Sequence, residues 1–272
     1  MPVVTANGVR LSYTDEGAGE PVLLISPAAA RATVWAAHQV PALRAAGYRV
    51  ITYDHRGSGA SDAPPGPYRV PELVADAAAL IRALGIGPCR VMGASLGAMV
   101  AQELALVRPD LVHSAVLLCT RGRTDLFRTV IAEVSARACR EPGDPRQAAV
   151  NAMFTLFSPA TLMDDATASD WLDVMTAFPQ QGEGAAAQYE ATRIADRLDA
   201  LSGITRPVLV VAFSDDVLMP VPMVREVADA IPGSRFLEFG GCGHFGFLER
   251  PAEVNAAIVE FFARAHALFA AQ

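Results

Sequence analysis

A serine lies at the apex of a predicted sharp turn, in the run Gly93-Ala94-Ser95-Leu96-Gly97. The apolar residues before the turn predict a strand, and the alanine-rich pattern after it predicts a helix that continues to Val107. A Gly-x-Ser-x-Gly turn between a strand and a helix is typical of a nucleophile elbow, in which glycines let the two elements approach closely. The alternative is an ordinary turn that contains Gly and Ser. The context favours Ser95 as a nucleophile.

A serine hydroxyl is a weak nucleophile at neutral pH, so it needs a base within hydrogen-bond reach and an acid that orients the base. The elbow arrangement places these residues in the chain order serine, acid, histidine. His244 follows a predicted strand in a glycine-rich loop, which predicts the general base. Asp215 and Asp216 are adjacent at the end of an earlier predicted strand, and only one of them can reach His244. The residues alone leave that choice open.

Two backbone N–H groups are needed to stabilise the negative oxygen that forms during acyl transfer. The N–H of Leu96 lies at the start of the elbow helix, where the helix dipole also favours negative charge. The second donor is predicted in the loop Ser26-Pro27-Ala28, after the third predicted strand. Because proline has no N–H, Ala28 is the predicted second donor of this oxyanion hole.

The elements around these residues alternate between strand and helix, which predicts a parallel, doubly wound α/β sheet of about eight strands. Residues 122–203 interrupt the alternation with a helical pattern. This predicts a helical cap inserted between the two parts of a core domain, residues 1–121 and 204–272. The large apolar residues of the cap predict a face turned towards the sheet, although ordinary core helices are the alternative. They are Phe127, Phe154, Phe157, Trp171, Met175 and Phe178.

The composition of the 272-residue chain is that of a folded protein, with 52% hydrophobic and 19% charged residues. The net charge of −7 argues against binding of nucleic acid, and the absence of lysine excludes Schiff-base chemistry. The four cysteines have neither metal-site nor redox spacing, so no metal and no cofactor is predicted. The N-terminus has no signal-peptide pattern, and no apolar run is long enough to span a bilayer. This predicts a cytoplasmic protein without membrane contact.

Four motifs occur in an order that is typical of one large family. They are Asp54-His55-Arg56-Gly57-Ser58-Gly59-Ala60-Ser61, the elbow Gly93–Gly97, Asp216 four residues before Pro220, and Gly243-His244 ahead of Glu249 and Pro251. On these motifs the chain resembles the α/β-hydrolase superfamily over essentially its whole length. The resemblance implies the α/β-hydrolase fold and the choice of Asp216 as the acid. The stretch Tyr53–Tyr68 is similar to 3-oxoadipate enol-lactonases and their esterase relatives, whereas Ser26-Pro27 replaces the usual His-Gly of the oxyanion loop.

Four side chains are predicted to contact a substrate. Arg31 on the oxyanion loop and Arg121 near the start of the cap could hold an anionic group through charge-assisted hydrogen bonds. A solvated surface position is the alternative for both. Trp171 in the cap and Met219 after the acid are predicted to line an apolar pocket, and core packing explains them equally well.

Together these features predict a serine hydrolase that cleaves a small or medium carboxylic ester or lactone through an acyl-enzyme. The same triad could serve a C–C bond hydrolase, a thioesterase or a lyase-type tailoring enzyme, because a fold does not determine the reaction. A non-catalytic ligand-binding relative is a further alternative, against which the complete triad argues. The predicted partner is a small-molecule substrate, and the oligomeric state stays open.

Overall fold

The chain begins with a hairpin, as the dipeptide Asn7-Gly8 predicts. The computed structural model describes residues 1–269. Asn7 and Gly8 both have positive φ, 50° and 74°, which is the conformation that a two-residue turn between antiparallel strands requires. Ala6 pairs with Val9 directly across this turn. The hairpin forms one end of the sheet.

Eight strands within residues 1–269 form one sheet. Their bounds are β1 Val3–Ala6, β2 Val9–Glu16, β3 Pro21–Ile25, β4 Arg49–Tyr53, β5 Cys89–Ala94, β6 Val112–Leu118, β7 Val208–Phe213 and β8 Arg235–Phe239. The order is β1-β2-β4-β3-β5-β6-β7-β8, in which β1, β2 and β4 pair antiparallel and all other neighbours pair parallel. The predicted α/β class with a mostly parallel sheet of about eight strands is confirmed.

Helices connect the parallel strands and cover both faces of the sheet, so every residue of β5, β6 and β7 is buried. Their bounds are α1 Gln39–Ala45, α2 Val70–Ala83, α3 Leu96–Val107, α4 Leu126–Arg140, α5 Pro145–Leu156, α6 Pro159–Met163, α7 Asp165–Ala177, α8 Glu183–Ala191, α9 Leu198–Leu201, α10 Val221–Ala230, α11 Gly246–Glu249 and α12 Pro251–Phe269. Because β3 to β8 run parallel, the loops after their carboxyl ends meet at one edge of the sheet.

The chain between β6 and β7 forms the helices α4 to α9, which we call the helical insertion. Four of these helices begin after a residue whose side chain accepts a hydrogen bond from the first turn, so the local sequence sets where they start. These residues are Asp125, Asp144, Ser158 and Asp164. The insertion coincides with the predicted helical segment 122–203. Its separation as a cap domain stays a prediction, and residues 270–272 of the predicted core lie outside the described residues.

The large apolar residues of the helical insertion do not share one inner face. Phe157 is buried, and Trp171 and Met175 are partly buried against the core. Three others are mostly exposed, so the predicted orientation is wrong for them. They are Phe127, Phe154 and Phe178, at 60%, 69% and 63%. The inner positions of α8 are instead occupied by buried alanines, whose small side chains let this helix approach the core closely.

The last helix, α12, is 19 residues long and packs against α1. Its exposed side carries the ion pair of Glu260 with Arg264, at 3.0 Å between nitrogen and oxygen. Among the helices of residues 1–269, none combines the length and the apolarity that a bilayer crossing requires.

Candidate active site

Ser95 lies where β5 ends and α3 begins. Its backbone has φ 55° and ψ −118°, which a non-glycine residue adopts only under strain. The Ser95 N–H donates to the carbonyl oxygen of Leu118 at 3.0 Å and so holds the turn against β6. A Cβ on Gly93 would lie 2.1 Å from the carbonyl oxygen of Gly97, and a Cβ on Gly97 would lie 2.0 Å from that of Ile25. The predicted sharp turn is therefore formed, and both glycines are required by close backbone contacts.

Asp216 and His244 form a buried hydrogen-bonded pair at the same edge of the sheet. Nδ1 of His244 donates to Oδ2 of Asp216 at 2.7 Å. The other oxygen, Oδ1, accepts the backbone N–H groups of Leu218 and Met219, each at 2.8 Å. Asp215 is half-buried and instead accepts a hydrogen bond from a neighbouring serine hydroxyl at 2.6 Å. Asp216 is thus the carboxylate that the structure brings to the histidine.

The buried pair determines the tautomer and the basicity of the histidine. Because a carboxylate can only accept, Nδ1 carries a proton and Nε2 of the neutral ring is left as the acceptor. Burial acts to lower the pKa of His244, but the Asp216 carboxylate, together with Cys119 beside the ring, outweighs it and holds the pKa well above the ordinary value of 6.5. Above this raised pKa the ring is neutral, and its Nε2 is then a strong proton acceptor, as a general base must be.

The thiol of Cys119 lies between the elbow and the histidine, a contact that no sequence pattern indicated. It interacts with the His244 ring and with the backbone N–H of Ser95. One potential metal-ligand atom from each of Cys119, Asp216 and His244 lies within 4.8 Å of the other two. Among the described residues, these three side chains are therefore close enough to share a metal ion. Burial raises the pKa of the Cys119 thiol, which keeps it protonated and makes it a poor metal ligand at neutral pH.

The two predicted oxyanion donors lie on either side of the elbow. Leu96 is the first residue of α3, and Ala28 is in the loop after β3. Neither N–H donates a hydrogen bond to another group of residues 1–269. The loop itself is anchored from the core, because Nε2 of His55 donates to the carbonyl oxygen of Ser26 at 3.2 Å. Both N–H groups are therefore available to a ligand oxygen.

The fold around these residues is shared with a large family. The family model of the α/β-hydrolase fold matches residues 20–251, which include β3 to β8 and every residue of the site. This protein is an α/β hydrolase. The resemblance of the sequence motifs to that family is therefore confirmed.

Three relatives place this α/β hydrolase within the family. It is 43% identical over 260 residues to BpoC of Mycobacterium tuberculosis, described as a candidate non-heme bromoperoxidase, which covers 94% of this chain and 98% of that protein. The crystal structure of BpoC superposes with a TM-score of 0.89, over 94% of this chain and 96% of that chain. RutD of Variovorax paradoxus, described as a candidate carbamate hydrolase, is 31% identical over 254 residues, 92% of this chain and 94% of that protein. The enol-lactonase of Burkholderia xenovorans has a TM-score of 0.86 and 27% identity, over 96% of this chain and 100% of that chain.

Two of the predicted substrate-contacting residues of this α/β hydrolase support the acid loop. Arg121 is buried, so the solvated alternative is wrong for it. Its Nη2 donates to the carbonyl oxygen of Thr192 at 2.5 Å, and its Nη1 lies 3.5 Å from Sδ of Met219. Burial, with Arg128 nearby, lowers the pKa of Arg121 to about 10. Because the N–H of Met219 binds the Asp216 carboxylate, these contacts help to fix the acid.

The other two predicted substrate-contacting residues lie further out. Arg31 is exposed, and its guanidinium lies 5.8 Å from the ring centre of Phe178. Trp171 packs on Phe157 with 4.7 Å between ring centres, and Phe157 contacts the edge of Phe245, which follows the histidine. A role in substrate binding stays a prediction for Arg31, Arg121, Trp171 and Met219.

The histidine loop is held by the helical insertion through Glu249, which the sequence showed only as part of a motif. Oε2 of Glu249 accepts the N–H of Gly243 at 2.5 Å. Oε1 accepts the N–H of Ser158 at 2.8 Å and its hydroxyl at 2.7 Å. On the other side of the histidine, the N–H of Phe245 donates to the carbonyl oxygen of Leu156 at 2.8 Å. Both neighbours of the histidine are therefore fixed to the insertion.

A cavity of about 860 Å³ opens between α2, α3 and the two ends of the helical insertion. Met99 and Gln102 of α3 form part of its wall. Ser95, Asp216 and His244 do not line it. The cavity is therefore separate from the hydrogen-bonded pair and the elbow.

His55 combines complete burial with a titratable ring. Its Nε2 must carry a proton, because the Ser26 carbonyl can only accept. The ring also packs edge-on against Tyr53, with 5.1 Å between ring centres. Burial lowers the pKa of His55 to about 4, although the contact with the Ser26 carbonyl acts in the opposite direction. At neutral pH the oxyanion loop is thus anchored by an uncharged imidazole.

We expect His55→Gln to make the protein less sensitive to acid. The unfolded chain binds a proton at His55 near pH 6.5 and the folded chain only near pH 4, so the wild-type free energy of unfolding falls as the pH drops between these values. A pKa difference of this size corresponds to a loss of about 3 kcal/mol in the free energy of unfolding once the pH is below both values. A glutamine amide can donate to the Ser26 carbonyl without titrating. The Tm, measured across this pH range, should fall less steeply for the variant; equal slopes would contradict the assignment.

Proposed function

We propose that this protein is a serine hydrolase that cleaves a small or medium carboxylic ester or lactone through an acyl-enzyme. The observation that carries the proposal is the 2.7 Å hydrogen bond between His244 and Asp216, at the sheet edge where Ser95 occupies a strained turn. The Cys119 thiol, which interacts with the His244 ring and with the backbone N–H of Ser95, connects the elbow with the histidine. Family membership supports hydrolysis as the general reaction.

In the proposed reaction, the Ser95 hydroxyl attacks the carbonyl carbon while Nε2 of His244 takes the hydroxyl proton. Asp216 keeps the ring in the required tautomer and stabilises the imidazolium. The N–H groups of Ala28 and Leu96 donate to the oxyanion of the tetrahedral intermediate. The intermediate then expels the alcohol oxygen, which receives the proton from His244. A water molecule, deprotonated by the same ring, then attacks the acyl-enzyme. The second tetrahedral intermediate collapses and releases the acid, and His244 returns the proton to the Ser95 oxygen.

The choice of an ester or lactone rests on the chemistry of the site and on one relative. Above its raised pKa, the His244 ring is neutral and has a high proton affinity, which suits the removal of a hydroxyl proton from Ser95. The similarity to a solved enol-lactonase supports a lactone among the candidate substrates. A carbamate presents the same electrophilic carbonyl. Because of the similarity to RutD, it is the substrate to compare with esters and lactones in an assay.

A fluorophosphonate probe tests the nucleophile directly. Wild-type protein is expected to gain the mass of one phosphonyl group on the peptide that contains Ser95, because the base activates this hydroxyl. Ser95→Ala and His244→Gln should remain unlabelled in intact-mass and peptide spectra. A folded wild-type protein that does not react would contradict the proposal and favour a ligand-binding role.

A substrate panel tests the reaction class. We expect p-nitrophenyl esters and simple lactones to give the highest kcat/KM, with thioesters and carbamates lower by about tenfold or more. The Ser95→Ala protein measured on the same panel provides the background rate. A panel in which a thioester or a carbamate ranks first would replace the proposed bond type while leaving the role of Ser95 intact.

A further inference from the structure

The oxyanion loop has little hydrogen bonding of its own: the N–H of Ala30 donates to the carbonyl oxygen of Pro27 at 3.3 Å, across the turn that contains Ala28 and Ala29. Its residues Pro27, Ala28, Ala29 and Ala30 carry no side-chain hydrogen-bonding group. Ala29 has φ 57°, in the left-handed region that residues with a Cβ rarely adopt. A turn of this composition, closed by one long hydrogen bond, is stabilised when other parts of the molecule bind its backbone. The direction of the Ala28 N–H therefore depends on this turn bond and on contacts from outside the loop.

Gln188 of α8 supplies one of these contacts, across 159 residues of sequence. Its Oε1 accepts the N–H of Ala29 at 2.7 Å, and its Nε2 donates to the carbonyl oxygen of Arg56 at 2.8 Å. The side chain is completely buried. Because a backbone N–H can only donate and a carbonyl can only accept, both ends of the amide have a fixed role. Gln188 thus connects the oxyanion loop with the loop after β4.

The surroundings of Gln188 show that a polar residue is unusual at this place. The neighbouring buried positions of α8 are alanines, Ala185–Ala187 and Ala191. The helix also lies backbone against backbone on the loop after β4, since a Cβ on Gly184 would be 2.3 Å from the carbonyl oxygen of Gly57. This packing of backbone against backbone does not require a hydrogen-bonding side chain at position 188. A buried amide is tolerated because both of its ends are hydrogen-bonded.

Ala28 lies between two anchored backbone groups. On one side, His55 of the core binds the Ser26 carbonyl. On the other, Gln188 of the helical insertion binds the Ala29 N–H. With both ends of the Ser26–Ala29 segment fixed, the Ala28 N–H keeps one direction. After loss of either contact, the bond from Ala30 to Pro27 is left to hold the turn on that side.

We propose that Gln188 is a positioning residue for the oxyanion hole, which makes the helical insertion part of the machinery that stabilises the transition state. This inference rests on the proposed function, because it takes the Ala28 N–H as an oxyanion donor. Gln188 does not touch the substrate in this role. It acts through the Ala29 N–H on the direction of the Ala28 N–H.

Gln188→Met tests the proposal, since methionine has a similar length and cannot form either hydrogen bond. With p-nitrophenyl butyrate as substrate, kcat should fall by about 10- to 100-fold, less than the 10²- to 10³-fold typical for complete removal of an oxyanion donor. KM should stay near the wild-type value, because the ground-state ester needs no oxyanion contact. Phenylboronic acid, which forms a tetrahedral adduct with an active-site serine, should bind more weakly by a factor similar to the loss in kcat.

Glu190→Gln is the matched control, because Glu190 lies in the same helix and pairs with Arg140 rather than with the loop. It should retain wild-type kcat and wild-type affinity for phenylboronic acid. If Gln188→Met does not fold, Gln188→Asn carries the test, since its amide is too short to reach both partners. Wild-type kcat in a folded variant, or a change confined to Tm or KM, would overturn the role of Gln188. Failure of the wild-type protein to react with fluorophosphonate would instead overturn the proposed function itself.

Discussion

Replacing Ser95 by alanine is expected to lower kcat by about 10⁶-fold, since loss of the nucleophile in a triad hydrolase costs a factor of this order. Without the hydroxyl no acyl-enzyme can form, and the remaining rate comes only from substrate binding and the oxyanion donors. KM should change little, because the hydroxyl contributes little to ground-state binding. Stopped assays with high enzyme concentration on the best ester of the panel would measure the residual rate.

Two controls make the Ser95→Ala result specific. The far-ultraviolet circular dichroism and the Tm should remain those of a folded protein, because alanine fits wherever the buried serine does. Ser202→Ala removes a hydroxyl from an exposed serine of the helical insertion, which donates to the carbonyl oxygen of Asp199, and it should retain full activity. A Ser95→Ala protein with near-wild-type kcat would end the acyl-enzyme mechanism.

Asp216→Asn is expected to lower kcat by about 10⁴-fold without unfolding the protein. The Asn oxygen can still accept the N–H groups of Leu218 and Met219, so the acid loop keeps its shape. The Asn amide group, however, faces Nδ1 of His244 as a donor. This places the ring proton on Nε2, where it blocks acceptance of the Ser95 proton.

The pH profile of Asp216→Asn should shift in a direction that the geometry determines. In the wild-type protein the carboxylate holds the pKa of His244 well above 6.5, so kcat/KM should fall as the pH drops through that raised pKa. Without the carboxylate, burial is left to lower the pKa, and the acidic limb should move to lower pH. Asp215→Asn is the matched control and should keep both the rate and the profile. A large loss in Asp215→Asn with none in Asp216→Asn would reverse the assignment.

The sequence predicted best what depends on local spacing. The elbow at Ser95 follows from two glycines and a change from strand to helix periodicity, and the structure shows the backbone contacts that demand those glycines. The order of strands and helices likewise predicted the parallel sheet. The local pattern could not tell which of Asp215 and Asp216 is the acid, because both follow the same strand. Contacts with the N–H groups of Leu218 and Met219 turn one carboxylate inward, and these depend on the path of the loop.

Outside the motifs of the candidate site, contacts between distant segments were not predicted. The bond from Gln188 to Ala29 and the bond from Glu249 to Ser158 span 159 and 91 residues, and no periodicity relates such positions. The exposed phenylalanines of the helical insertion show the same limit, because a helix pattern tells which residues share a face but not which face meets the core. The face of α4 that is buried carries Ala132, Ala136 and Cys139, and that of α5 carries Ala149 and Met153, which leaves Phe127 and Phe154 on the solvent side.

The bonds of Glu249 and Gln188 restrict how such an enzyme can be recombined. The helical insertion offers an obvious unit for exchange between relatives, since it lies between two consecutive strands of the sheet. Yet its residues bind the loops that carry the histidine and the Ala28 N–H. A chimaera that receives a foreign insertion would therefore lose both attachments unless residues 26–31 and 243–249 were transferred with it. Under the proposed function, exchange of the insertion alone would therefore lower the catalytic rate.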